Sequence, residues 1–256
     1  MKRLLSILTL VSICTSCAYP ILKDNTLEED ADLTIHGNVK KITSYETHEK
    51  KKDDSTKIII YFDSKGKPLR QLDFYKKFTE TTVMTYDENG RLISEKSDMR
   101  DNFQSKYEYD EKGNLAIYKQ MYDGKITLEK KIFYDKRHNI IMHVFLKKDK
   151  PADTTWYSYD YRKRVMTTKF HPGKISTTNF DRKGNIIRTD NQYGTILYEY
   201  DKMGRMSKKT AFNAQGKLKF TNIIQNKYDH RNNLISTVVI VDGEPFKKTN
   251  IYIDYN

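Results

Sequence analysis

Along most of the chain, apolar and polar positions alternate with a period of two, and the alternation restarts every twenty-odd residues. Tyr107 and Tyr109, Tyr157 and Tyr159, and Tyr198 and Tyr200 each stand two apart, just before a cluster rich in Asp, Gly, Asn and Lys. A period of two belongs to strands with one apolar face. The pattern therefore predicts short strands separated by tight turns.

The clusters share one arrangement: an aromatic residue, Asp, two polar residues, Gly, Arg or Asn, then an aliphatic residue. It stands at Tyr86-Asp87 through Gly90-Arg91-Leu92, at Tyr109-Asp110 through Gly113-Asn114-Leu115, at Phe180-Asp181 through Gly184-Asn185-Ile186 and at Tyr200-Asp201 through Gly204-Arg205-Met206. Looser copies begin at Phe62-Asp63, Tyr134-Asp135, Tyr159-Asp160 and Tyr228-Asp229, and a degraded one runs from Phe212-Asn213 to Gly216. An Asp that opens a turn accepts a hydrogen bond from the backbone two residues on. Gly then supplies the left-handed conformation that closes a type I turn with a bulge. At the Gly position His138 and Asn232 tolerate positive φ, whereas Lys163 is expected to be strained there. Asp123-Gly124 and Asp242-Gly243 read as two-residue hairpin turns. The expected fold is all-β: an antiparallel meander of repeated hairpins forming an open, curved, single-layer or spiral sheet.

Tyr-Asp-x-x-Gly-Arg/Asn-Leu, recurring over about residues 36–256, resembles the YD repeat of Rhs and wall-associated proteins. The resemblance implies a strand array, with too few repeats to close a large shell and no toxin domain behind it.

The first residues have a different character. Lys2 and Arg3 precede an apolar run from Leu4 to Ile13, too short to span a bilayer as a helix, where about 20 residues are needed. This is the layout of a secretory signal. Cys14-Thr15-Ser16-Cys17 resembles the lipobox of bacterial lipoprotein precursors, with Cys14 where an aliphatic residue is usual, and implies lipidation of Cys17. The expected organisation is a signal peptide over 1–16, a lipidated Cys and acidic tether over 17–35, and the repeat array over 36–256. The expected location is the cell envelope, lipid-anchored at the outer membrane.

Composition narrows the chemistry. Both cysteines lie in the N-terminal segment, so the body carries no disulfide and no thiolate metal site. The formal charge of +12 falls to +10 without Lys2 and Arg3, which favours anionic partners without choosing among them. The repeat Asp residues are needed for turns. His36, His48, His138, His143, His171 and His230 show no metal-ligand spacing, and neither a Gly-x-Ser-x-Gly elbow nor a phosphate loop is present. No catalytic, cofactor-binding or metal residue is expected. Trp156, Tyr161 and Tyr193, aromatics outside the regular pattern, are the candidate ligand contacts.

These features point to a non-enzymatic envelope lipoprotein with a binding or scaffolding surface for carbohydrate or an envelope protein; a nucleic-acid partner is not expected. An Rhs-like part of a contact-dependent competition system is the alternative, and a polysaccharide hydrolase a remote third. The oligomeric state is open.

Overall fold

The computed structural model describes residues 35–48, 51–98, 103–147, 150–170 and 172–256. Eighteen strands follow one another: β1 (Val39–His48), β2 (Lys51–Phe62), β3 (Pro68–Phe74), β4 (Thr79–Tyr86), β5 (Leu92–Ser97), β6 (Gln104–Tyr109), β7 (Leu115–Tyr122), β8 (Lys125–Tyr134) and β9 (Ile140–Lys147). The second half holds β10 (Lys150–Asp160), β11 (Val165–Phe170), β12 (Lys174–Phe180), β13 (Ile186–Asn191), β14 (Gly194–Tyr200), β15 (Met206–Asn213), β16 (Leu218–Tyr228), β17 (Leu234–Val241) and β18 (Glu244–Tyr255). Each strand pairs antiparallel with the next.

The repeat turns form as their chemistry requires. In the turn between β4 and β5, the Asp87 N–H donates to Arg91 O and the Gly90 N–H to Asp87 O, both at 2.9 Å. Asp87 Oδ1 accepts the Arg91 N–H at 2.7 Å. The same backbone pair recurs in the turns that open at Asp63, Asp110, Asp135, Asp181, Asp201 and Asp229. His138 and Asn232 take positive φ, 64° each. At the β10–β11 turn the strained position falls on Arg164 (φ 55°) and not on Lys163, because Asp160 pairs directly with Val165 and no bulge follows. Asp123-Gly124 joins β7 to β8, and Asp242-Gly243 joins β17 to β18, with positive φ at both residues of each turn.

Because strands alternate in direction, turns alternate between two ends of the sheet. The eight Tyr/Phe-Asp turns all fall at one end, here the repeat rim. The Asn213 turn has the same hydrogen bonds but joins β15 to β16 at the opposite rim, so it is not a further copy in phase.

The expected open or spiral sheet is overturned. β1 pairs with β2 on one side and with β18 on the other, so the 18 strands close into a barrel. The closure completes the repeat in a way that neither end of the chain shows alone. Tyr255-Asn256 is the front half of a repeat turn, and Gly37-Asn38-Val39 is the back half. Val39 pairs with Tyr255 and the register then slips, just as Leu92 pairs with Tyr86. The Asn256 N–H donates to Asn38 O at 2.9 Å, the counterpart of Asp87 to Arg91. A ninth turn, split between the two ends, thus removes both edges that an open array would leave unpaired.

Among the described residues the buried apolar cluster lies at this seam: Val39, Ile42, Phe62, Leu234 and Ile251, flanked by Ile35, Ile60, Tyr228, Ile253 and Tyr255. Where no peptide bond links the neighbours, apolar burial does.

Candidate functional site: a polar lumen and its two rims

Every buried residue within a strand lies on one face of the sheet, the face that carries the repeat aromatics: Met84, Ser97, Ser105, Ile132, Thr155, Tyr157, Thr168 and Thr178 are examples. Closing a sheet makes side chains converge on the concave side and splay on the convex side, so this crowded face is the inner one. An even cylinder of eighteen strands about 4.8 Å apart and tilted about 40° is roughly 35 Å across between backbones. Barrels of this strand number have room for an interior channel. Side-chain hydrogen bonds on the wall, such as that from Ser97 to Glu80, join neighbouring strands.

Near the repeat rim the inner wall carries a girdle of tyrosines. Tyr86 Oη donates to Pro68 O (2.6 Å), Tyr109 to Leu92 O (2.7 Å), Tyr159 to Ile140 O (2.7 Å) and Tyr200 to Ile186 O (2.7 Å). Each ties one strand to the rim-side end of its neighbour. Arg91 lies over the Tyr109 ring at 4.7 Å and Arg231 over the Tyr255 ring at 4.0 Å. The turn carboxylates accept hydrogen bonds from turn N–H groups. Asp110 is held below the usual range by the Asn114 side chain and by turn N–H groups, and Asp87 by the Arg91 N–H and guanidinium.

Deeper in the lumen the same face carries polar clusters. On β3–β6, Gln71 Nε2 donates to both oxygens of Asp73 (3.0 and 2.9 Å), Ser97 Oγ to Glu80 Oε1 (2.6 Å) and Tyr107 Oη to Glu95 Oε2 (2.7 Å). Burial pushes the Asp73 and Glu95 carboxyls up, and Glu95 Oε1 accepts no hydrogen bond. Further round the wall, Tyr118 accepts from Gln120 Nε2 (2.7 Å), and His143 meets the Tyr157 hydroxyl at 3.1 Å. Among the described residues no group of three His, Cys, Asp or Glu is placed to hold a metal ion. The wall mixes these hydroxyls, amides and tyrosine rings with apolar side chains such as Ile58, Ile60, Ile132, Phe145, Phe220 and Val239.

The outer face mixes ion pairs with exposed apolar side chains, among them Tyr45, Val83, Phe133, Leu197, Ile223 and Tyr252. Glu108 pairs with Lys119 (2.6 Å), Glu199 with Lys208 (2.9 Å), Asp190 with Arg188 (2.6 Å) and Asp254 with Lys41 (2.7 Å), with Lys57, Arg70, Lys96 and Lys106 on further strands. Among the described residues no helix is long and apolar enough to cross a membrane.

The three aromatic contacts expected from the sequence are not brought together. Trp156 lies on the outer face of β10, opposite Met142 and Lys169. Tyr193 stands in the β13–β14 turn on the rim away from the repeats, 64% exposed. Tyr161 is at the repeat rim, where its hydroxyl donates to Asp135 Oδ2 (2.7 Å) and accepts from Asn139 Nδ2 (2.7 Å), with Arg137 over the ring at 4.3 Å. Burial and the Asp135 carboxylate push its pKa up to about 12, against the opposing pull of Arg137 and Asn139. Tyr255 makes the same pair of bonds to Asp229 and Asn233, so Tyr161 serves the rim as Tyr255 serves the seam. Cys17, the signal peptide and nearly all of the tether lie outside the described residues. The luminal polar groups were missed; their signal is Ser105 and Thr155, four residues before the turn tyrosine, continuing its face with polar side chains.

The fold defines a closed, antiparallel, eighteen-stranded β-barrel whose inner wall carries polar clusters among apolar side chains. A family model with the description "Uncharacterised protein" matches residues 58–189, just over half of the chain, and the chain belongs to that family. This replaces the expected membership of the YD-repeat and Rhs family: the turn motif is shared chemistry for a hairpin, and the family is another one. No curated protein matches the chain. Among solved structures, the chain is similar to a porin-like protein from Bacteroides uniformis ATCC 8492, at 12% identity over 84% of this chain and 96% of that one, with a TM-score of 0.48. It is also similar to the Tc holotoxin pore of Photorhabdus luminescens, at 12% identity over 79% of this chain but 15% of that one, with a TM-score of 0.28.

Proposed function

We propose that the protein is a non-enzymatic component of the bacterial cell envelope, lipid-tethered through Cys17, whose barrel takes up carbohydrate on its luminal wall. The observation that carries this reading is the inner face itself. Hydroxyls, amides and tyrosine rings point into a lumen wide enough for water, and saccharides are recognised by that combination of hydrogen bonds and ring faces.

The outer face favours a tethered barrel over a membrane-spanning one. A spanning barrel presents an apolar band about 25 Å tall, and each Lys or Arg at the bilayer midplane costs about 2–4 kcal/mol. Here cations and their acidic partners recur around the wall between the exposed apolar side chains, which supports a barrel that stands in water with the lipid as its membrane attachment. The luminal carboxylates are bound by neighbouring Gln, Ser and Tyr side chains, which supports holding a ligand more than attacking one.

The test is calorimetric titration with oligosaccharides released from envelope polysaccharides, on the parent and on two variants. Tyr118→Ala removes a luminal ring, and Trp156→Ala removes an outer one. The reading expects binding that Tyr118→Ala weakens and Trp156→Ala leaves unchanged. Absence of binding across the panel, or dependence on Trp156 instead, refutes it.

A further inference from the structure

We propose that the repeat rim is a docking surface for an anionic phospholipid membrane, seating the barrel upright over the bilayer to which it is tethered. The tether lends the proposal only the side on which the membrane lies; the surface stands on the structure.

All eight repeat turns reach the same rim, and their chemistry sorts charge by exposure. The Asp side chains fold back to accept turn N–H groups, which withdraws them from the surface. The exposed residues of these turns are more often basic than acidic. Over the eight turns, eleven Lys and Arg side chains are exposed, against three acids, Glu88, Glu111 and Asp160. Lys65, Lys112, Lys136, Arg162, Arg182 and Lys202 represent six different turns. With the split ninth turn, the turns are spaced roughly 12 Å apart around the ring. Such a ring meets a flat anionic surface with many cations at once, which a charge patch on the side of the barrel does not.

The opposite rim differs in balance: its exposed lysines, among them Lys76, Lys77, Lys125, Lys147 and Lys217, stand beside exposed Asp123, Asp242 and Glu244. Its turns and their flanks expose Tyr75, Phe78, Tyr122, Phe170, Tyr193 and Phe246. The chain also enters the barrel at the basic rim: the His36 N–H donates to Asn233 Oδ1 at 2.6 Å, beside the Asp229 turn. The larger excess of cations and the chain entry therefore face the same way, and the aromatic rim faces away. A single acyl chain gives marginal membrane attachment, and basic residues near an anionic surface supply the usual second contribution.

The test uses the chain from Ala18 onward, which keeps every strand and the seam and carries no lipid. Its partition is measured onto vesicles of phosphatidylcholine with and without about one third phosphatidylglycerol. Two variants then change the net charge equally: Lys65, Lys112, Lys136, Arg162 and Lys202→Glu at the repeat rim, and Lys76, Lys77, Lys125, Lys147 and Lys217→Glu around the other. The expected result is binding only to anionic vesicles, lowered at least about tenfold by the repeat-rim set and less than about twofold by the control set. Equal losses in both sets would reduce the effect to net charge and overturn the proposal. Binding without preference for phosphatidylglycerol, or stronger binding to double-stranded DNA than to vesicles, also overturns it. Should the repeat-rim set fail to fold, the parent's salt response decides: binding that survives high salt is not held by this ring. No outcome depends on carbohydrate, so the two proposals stand or fall separately.

Discussion

The seam predicts an outcome that an open array does not. Tyr255 closes the split turn: its hydroxyl donates to Asp229 Oδ2 (2.6 Å) and accepts from Asn233 Nδ2 (2.7 Å), and its ring lies under Arg231 (4.0 Å) and against the buried cluster. Losing the hydroxyl in Tyr255→Phe is expected to cost about 1–2 kcal/mol, the net value of two partly exposed hydrogen bonds. Tyr255→Ala adds the lost packing and cation–π contact, for a total of about 3 kcal/mol. For a domain of this size that is a fall in Tm of about 6–12 °C. Thermal unfolding followed by circular dichroism reads the total, and hydrogen exchange reads the place: amides of β1 and β18 should lose protection before those of β6 and β7. A permuted chain in which Asn256 is followed by Ile35, opened at Asp123-Gly124, supplies the missing peptide bonds and should recover much of the loss. If Tyr255→Ala melts within about 1 °C of the parent, or exchange rises evenly around the ring, the split turn does not hold the barrel shut.

Two further outcomes follow from the wall. Burial raises the Glu95 carboxyl, and a carboxyl raised on folding favours the native state below its unfolded pKa and loses that contribution as pH rises through the folded one. Glu95→Gln should therefore raise Tm at neutral pH, with the gain fading as pH falls to about 4; an equal gain at both pH values would show that the group does not titrate. A Cβ at Gly194 (φ 140°) would lie 1.9 Å from the backbone oxygen of Phe212, whereas one at Gly124 (φ 71°) meets open space. Gly194→Ala should cost about 3 kcal/mol or more and Gly124→Ala about 1 kcal/mol, and similar melting temperatures for the two would contradict the close strand approach.

What the sequence determined by itself was local. Asp at the head of a turn, Gly or Asn at the left-handed position, and tyrosines two apart specify hairpins through interactions within about five residues, and those hairpins form. The direction of the chain then follows, since hairpins joined by short turns can only run antiparallel. Closure was not legible, because Tyr255-Asn256 and Gly37-Asn38 are each half a motif, separated by more than two hundred residues. Only when both ends lie side by side does the register Val39–Tyr255 show them to be one turn. The faces were half legible. Period two tells that Tyr107 and Ser105 share a side, but which side curves inward depends on the whole ring. The same holds for the candidate contacts. Trp156, Tyr161 and Tyr193 are equally irregular in the sequence, yet the barrel sends one to the outer wall and one to each rim. A lumen and two unlike rims belong to no single repeat; they exist because nine hairpins share one circumference, and that is a property of the closed sheet.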